Sequence, residues 1–266
     1  MLTTLLLYAA VGAVAGILAG LLGIGGGLVI VPMLVFSFSI HQVPPELIMH
    51  LALGTSLASI IFTSISSFRA HHKRGAVRWD VMKRITPGIL VGTFLGSCVA
   101  SLLPTSVLKS IFVIFLYYVA TQMLRGKKPP AGRQLPGTAG IFGAGGVIGA
   151  FSSLVGIGGG SLSVPYLTWC NIPVHHAIGT SSAIGLPIAL AGAFGYVVNG
   201  LGAPGLPPSA LGYVHLTALF GIICFSVLTA PLGAKLAHSL PVDKLKRIFA
   251  ILLYVVATRM LLGLFS

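Results

Sequence analysis

Acidic side chains are nearly missing: Glu46, Asp80 and Asp243 are the three in 266 residues. Charged residues of both signs reach only 7%, against about 25% in soluble domains, so an ordinary water-facing globule is excluded. Cysteine is scarce as well. Cys98, Cys170 and Cys224 stand alone in apolar runs without a CxxC partner, so neither a disulfide framework nor a metal knuckle is expected, and buried free thiols are. There is no GxSxG, no HExxH and no pair of carboxylates, the signatures that a hydrolase or metalloenzyme would need. The chain is therefore not expected to be an enzyme, and no cofactor or metal is expected. A basic n-region is also lacking at the N-terminus, so residues 1–27 are read as mature protein rather than a signal.

What remains is apolar. Hydrophobic residues make up 56% and the mean hydropathy is +1.02, with runs of about 20 apolar residues recurring along the chain. This describes an all-α integral membrane protein. The formal charge of +13 reflects missing acids more than abundant bases. Those bases sit in short turns rather than on one wet face, which argues against nucleic-acid binding.

In chain order, a first helix over 2–22 carries small residues at Gly12, Ala13, Gly16, Ala19 and Gly20 for close packing. It ends at the cluster Gly23-Ile24-Gly25-Gly26-Gly27, followed by a short apolar arm over 28–40 that contains Pro32. A helix from Glu46 to about Phe68 is expected to be interrupted near Gly54-Thr55-Ser56. A basic loop follows over 69–84, then helices over 85–103 and 106–124 joined at Pro104. After a basic, proline-rich linker the plan returns: a helix over 137–155, the cluster Gly156-Ile157-Gly158-Gly159-Gly160, an arm over 161–170 with Pro165, and helices over 175–198, 213–237 and 243–264. Leu103-Pro104 to Gly126 matches Leu240-Pro241 to Gly263, with Tyr117 and Val119-Ala120-Thr121 paired with Tyr254 and Val256-Ala257-Thr258. The halves read as two copies of one unit, repeat 1 over 1–126 and repeat 2 over 137–266, with 127–136 as a cytoplasmic linker.

The bases orient the copies. The segments 69–84, 125–133 and 235–247 hold fourteen of the sixteen Lys and Arg and belong inside by the positive-inside rule. The uncharged loop at 199–212 occupies the repeat position of the basic 69–84 loop, so equivalent loops lie on opposite sides. That predicts inverted-topology repeats of five helical segments each, ten in total, with both termini outside.

Four close glycines and a proline do not make a comfortable continuous helix. Within hydrocarbon such a break must be buried or line a cavity. Glycine can also serve close helix packing, but two clusters in inverted positions favour broken or re-entrant helices whose freed N–H groups and positive dipole ends face an anion. Substrate contacts are therefore expected from Gly23, Gly25, Gly26, Gly27, Gly156, Gly158, Gly159, Gly160 and Ser161, with Pro32 and Pro165 marking the helix breaks. A second repeated group, His50 followed by Gly54-Thr55-Ser56 and His175 followed by Gly179-Thr180-Ser181, adds hydroxyls at Thr55, Ser56, Thr180 and Ser181. These can donate to an oxyanion, or they can bond their own helix carbonyls. His50 and His175 read either as proton or substrate contacts or as interfacial residues. The other histidines, His71 and His72 among them, read as solvated, and Arg259 as snorkelling to the outer surface.

These motifs resemble the TauE/SafE sulfite exporter family: Gly23-Ile-Gly-Gly-Gly with Val31-Pro32, then Ala52-Leu-Gly54-Thr55-Ser56, and their partners at 156–165 and 177–181. The resemblance covers essentially the whole chain. It implies a bacterial or archaeal inner-membrane transporter for sulfite, sulfonates or related sulfur-containing organic anions, with the motif glycines, prolines and hydroxyls as its functional residues. Pro187 has no counterpart in the first half. Expected partners are a small anion and the lipid bilayer, with a homodimer admitted. A negative cell interior favours export of an anion, by about 2.3 kcal/mol per 100 mV. Cation-coupled uptake and an anion channel are the alternatives.

Overall fold

A computed structural model of the protein describes residues 2–22, 26–125, 132, 134–236 and 242–264. Gly23 and Gly25 of the first cluster, much of the expected linker and the Pro241 turn lie outside the described residues. Among the described residues, ten helices run in order: α1 Leu2–Leu22, α2 Gly27–Ile40, α3 Pro45–His72, α4 Trp79–Leu102, α5 Thr105–Arg125, α6 Thr138–Val155, α7 Gly160–Trp169, α8 Val174–Gly200, α9 Leu216–Leu236 and α10 Val242–Leu262. The strands β1 Ala210–Leu211 and β2 Val214–His215 pair antiparallel between α8 and α9. Among the described residues, six helices are long and apolar enough to cross a membrane. By contrast α2, with 14 residues, and α7, with 10, span only about 21 and 15 Å, short of the hydrocarbon core.

Packing follows membrane rules, in which small residues let backbones approach. Helix α1 lies along α9, α4 along α6, α5 along α10, and the most deeply buried pair, α3 and α8, pack on each other; α2 leans on α3 and α7 on α8. The small face of α1 is used as expected, since a Cβ added at Gly12 or Gly16 would strike the α9 backbone at Ile222 or Ser226. Where α5 meets α10, the bonds are reciprocal: the hydroxyls of Tyr117 and Thr258 are 2.8 Å apart, and those of Thr121 and Tyr254 are 2.6 Å apart. Outward faces stay apolar, with Ile114 70% and Leu228 71% exposed, a surface suited to lipid rather than water.

Several local expectations are corrected. Helix α3 is continuous through Gly54-Thr55-Ser56. Gly54 is there because the Tyr213 carbonyl sits where a side chain would be. The basic loop shrinks to 73–78, because α3 extends to His72 and α4 starts at Trp79; its bases mostly stand on helix ends. The last long loop folds into the two-residue ribbon, so α9 starts at Leu216 rather than 213. Of the thiols only Cys170 is buried. Cys98 is half-buried and Cys224 exposed, the latter on the outer face of α9.

Candidate functional site

Both short helices start the same way. Gly26 has φ 81° and ψ −9° before α2, and Gly159 has φ 76° and ψ −11° before α7, a left-handed conformation that favours glycine. Each glycine carbonyl then accepts two N–H groups of its helix: Val29 and Ile30 bond Gly26 O at 3.0 and 3.1 Å, and Leu162 and Ser163 bond Gly159 O at 3.0 and 2.7 Å. Pro32 and Pro165 are each the sixth residue of these helices, which run on through them. The breaks are at the glycines, and each proline removes only one internal N–H.

The two clusters meet. Gly27, the first residue of α2, lies so close to Gly156 and Ile157 that an added Cβ would strike the Gly156 carbonyl. Gly156 itself, at φ 66°, ends α6 against Leu53 and Val31. Ser56 Oγ donates to Gly156 O at 2.7 Å, tying α3 to the second cluster. On the α8 side the Ser181 and Ser163 hydroxyls are 2.6 Å apart, and Ser163 Oγ donates to Gly159 O at 2.9 Å. The carbonyl of Gly158 faces Gly185 of α8.

The threonines of the repeated motif do a different job. Thr55 Oγ1 accepts the His215 N–H at 2.8 Å, just before α9. Thr180 Oγ1 accepts the Arg78 N–H at 2.9 Å, just before α4. The preceding glycines match as well: a Cβ at Gly54 would meet Tyr213 O, and one at Gly179 would meet Ala76 O at 2.6 Å. Thr55, Ser56, Thr180 and Ser181 each reach a different element, so back-bonding to their own helix does not describe them.

Two hydroxyls at the junction are left over. Ser152 Oγ and Ser161 Oγ are buried with no hydrogen-bond partner among the described residues, an arrangement that costs about 1–3 kcal/mol for each group withdrawn from water. Ser161 is the second residue of α7, and a Cβ at Gly159 would lie 3.5 Å from Ser152 Oγ. The N–H groups of Gly160 and Ser161 have no carbonyl one turn back to bond, and the positive end of the α7 dipole is here. Among the described residues, the arrangement offers unsatisfied donors and no negative side chain.

The histidines stand elsewhere. His50 is buried, with Nδ1 3.0 Å from Glu46 O and Nε2 3.2 Å from Ala100 O; both acceptors are carbonyls, and a neutral ring can donate to only one. It lines a cavity of about 1060 Å³ formed by the end of α2, the start of α3 and the α4–α5 turn, with Glu46, Lys109 and Tyr213. His175 is exposed at the start of α8 and does not line that cavity. His71, expected in solvent, is 2% exposed because Nε2 reaches Gly20 O near the end of α1 at 3.2 Å. Arg259 is exposed as expected, its guanidinium 5.3 Å from the centroid of the Phe36 ring. His215, read with the other histidines as solvated, is half-buried just before α9. It caps α9 by accepting the Ala218 N–H on Nδ1 at 3.3 Å and stacks on Phe38, roles that depend on a ribbon no local pattern announces.

The model of the sulfite exporter TauE/SafE family matches residues 8–260. The chain belongs to the TauE/SafE family. It is 42% identical over 264 residues to a probable membrane transporter protein of Haemophilus influenzae, covering 98% of this chain and 100% of that one. It is 29% identical to the probable membrane transporter protein MJ0441 of Methanocaldococcus jannaschii, covering 95% and 93% of the two chains. It is 26% identical to the probable membrane transporter protein YdhB of Bacillus subtilis, covering 87% and 89%. No solved structure matches. A TauE/SafE protein is a multi-pass membrane transporter, not an enzyme, and the helical fold fits that role.

Proposed function

We propose that this transporter exports a small sulfur-containing oxyanion, sulfite or a sulfonate or a related organic acid, by alternating access around the junction of the two glycine clusters. The observation that carries the proposal is the meeting of the two glycine-led half-helices beside the unpartnered hydroxyls of Ser152 and Ser161. Donors without acceptors at a positive helix end suit an anion and repel a cation. The N–H groups of Gly158, Gly159, Gly160 and Ser161 would face the substrate, with Gly26 and Gly27 supplying the other half. Ser56, Ser181, Thr55 and Thr180 position the junction.

Two inverted repeats would supply the moving parts. The reciprocal Tyr117–Thr258 and Tyr254–Thr121 bonds and the matched threonine bonds support a two-fold relation between residues 1–126 and 137–266. Exchanging α1–α5 with α6–α10 carries the α1–α9 pairing onto α6–α4 and leaves α3–α8 and α5–α10 in place. With the basic ends inside, the 1060 Å³ cavity beside His50 becomes an outer vestibule and both termini lie outside. Export needs no coupling ion, since anion exit down the membrane potential gains about 2.3 kcal/mol per 100 mV.

The test is counterflow of labelled sulfite or a sulfonate in proteoliposomes. Saturable exchange is expected. A linear, non-saturating anion conductance would instead make the protein a channel.

A further inference from the structure

At the end of α3 away from His50, a groove of about 540 Å³ lies between α3 and α9. Its walls are two helical stripes. Helix α3 contributes Phe62 and Arg69, with Lys73 capping its end, and α9 contributes Val227, Pro231 and Lys235 at steps of one turn. Both walls change character in the same direction, from apolar to basic. The change takes about 16 Å along α3 and about 12 Å along α9 at 1.5 Å per residue.

The walls are tied at mid-groove. Pro231 has no N–H to give the Val227 carbonyl one turn back, and Ser66 Oγ donates to that carbonyl at 3.1 Å instead. That bond ties the two helices at the carbonyl the proline leaves free. Among the described residues, no carboxylate lines the groove. Glu46 is at the opposite end of α3, and Asp80 is held by Arg78 at 2.7 Å. Phe62 and Pro231 are exposed along the apolar part, and Arg69, Lys73 and Lys235 along the basic part.

A free anion would use only the basic end. A molecule with a phosphate at one end and hydrocarbon behind it would use both, and a bilayer presents such molecules in this orientation. We propose that the groove holds an anionic phospholipid of the leaflet on the basic side of the protein, its phosphate among Arg69, Lys73 and Lys235 and an acyl chain along Phe62, Val227 and Pro231. This binding does not depend on which anion the central junction carries.

The test uses the full chain in neutral detergent, with phosphatidylglycerol, phosphatidylcholine and inorganic phosphate as probes, read by native mass spectrometry and thermal shift. Phosphatidylglycerol is expected to be retained and to raise the melting temperature, while the other two at equal concentration do neither. Lys73→Ala with Lys235→Ala should weaken phosphatidylglycerol binding on the order of 30-fold, from about 1 kcal/mol per surface cation. Lys73→Arg with Lys235→Arg should bind within a few-fold of wild type. Phe62→Ser, which keeps every charge, should also weaken binding. The proposal is overturned if inorganic phosphate stabilises as well as the lipid, if phosphatidylcholine is retained equally, or if neither the double alanine variant nor Phe62→Ser changes retention.

Discussion

Gly27→Ala tests the meeting of the two clusters. The first residue of α2 has ordinary helical backbone, so alanine is not excluded by conformation; on an exposed helix the change would gain about 0.5–1 kcal/mol. Space excludes it here. The new Cβ would strike the Gly156 carbonyl and lie 3.0 Å from Ile157 Cα, and both are backbone atoms that no rotamer change can move. Overpacking of this kind costs about 1–3 kcal/mol. At about 2–4 °C per kcal/mol for a chain above 150 residues, the melting temperature in detergent should fall by about 2–12 °C. Transport should fall further, since relief of the clash separates α2 from the second cluster. Gly143→Ala is the control, because a Cβ there meets nothing within 4 Å; it should melt at or above the wild-type temperature and transport normally. A Gly27→Ala protein with wild-type melting and transport would refute the close approach.

Two further perturbations address the cross-links between halves. Thr55→Val and Thr180→Val each strand a backbone N–H, of His215 or Arg78, and should each destabilise by about 1–3 kcal/mol, with Thr→Ser recovering most of it; equilibrium unfolding in mixed micelles measures this, and unchanged stability in both valine variants would remove the capping role. Tyr117→Phe and Tyr254→Phe each delete one of two reciprocal bonds and should cost nearly equal amounts, about 0.5–1.5 kcal/mol. A large inequality between the two would count against the two-fold relation.

The broad architecture was legible because it is written in composition and repetition. Apolar runs of bilayer length give the helices, and the glycine clusters mark where α2 and α7 begin, since left-handed turns at Gly26 and Gly159 leave glycine in the sequence. The role of Gly54-Thr55-Ser56 was not legible, because it lies in segments far along the chain. Gly54 makes room for Tyr213, Thr55 holds His215 and Ser56 holds Gly156; read locally, the same three residues suggested a helix break. His71 was misplaced for the same reason, as its partner is a carbonyl of α1. Ser152 and Ser163 lie close to the second cluster in sequence, and a search for further hydroxyls within one turn of the glycines would have found them. Ser161 carries a buried hydroxyl without a hydrogen-bond partner among the described residues.

The most direct measurement of the central claim is sulfite or sulfonate binding to Ser152→Ala with Ser161→Ala, alongside melting without ligand. Two buried hydroxyls with no protein partner contribute nothing to the fold, so removing them should leave the melting temperature unchanged or raised. If they face the transported anion, affinity should fall on the order of ten-fold or more, at about 1.5–3 kcal/mol for a hydrogen bond to a charged group. Unchanged anion affinity in the double variant would contradict the placement of the substrate at the glycine junction.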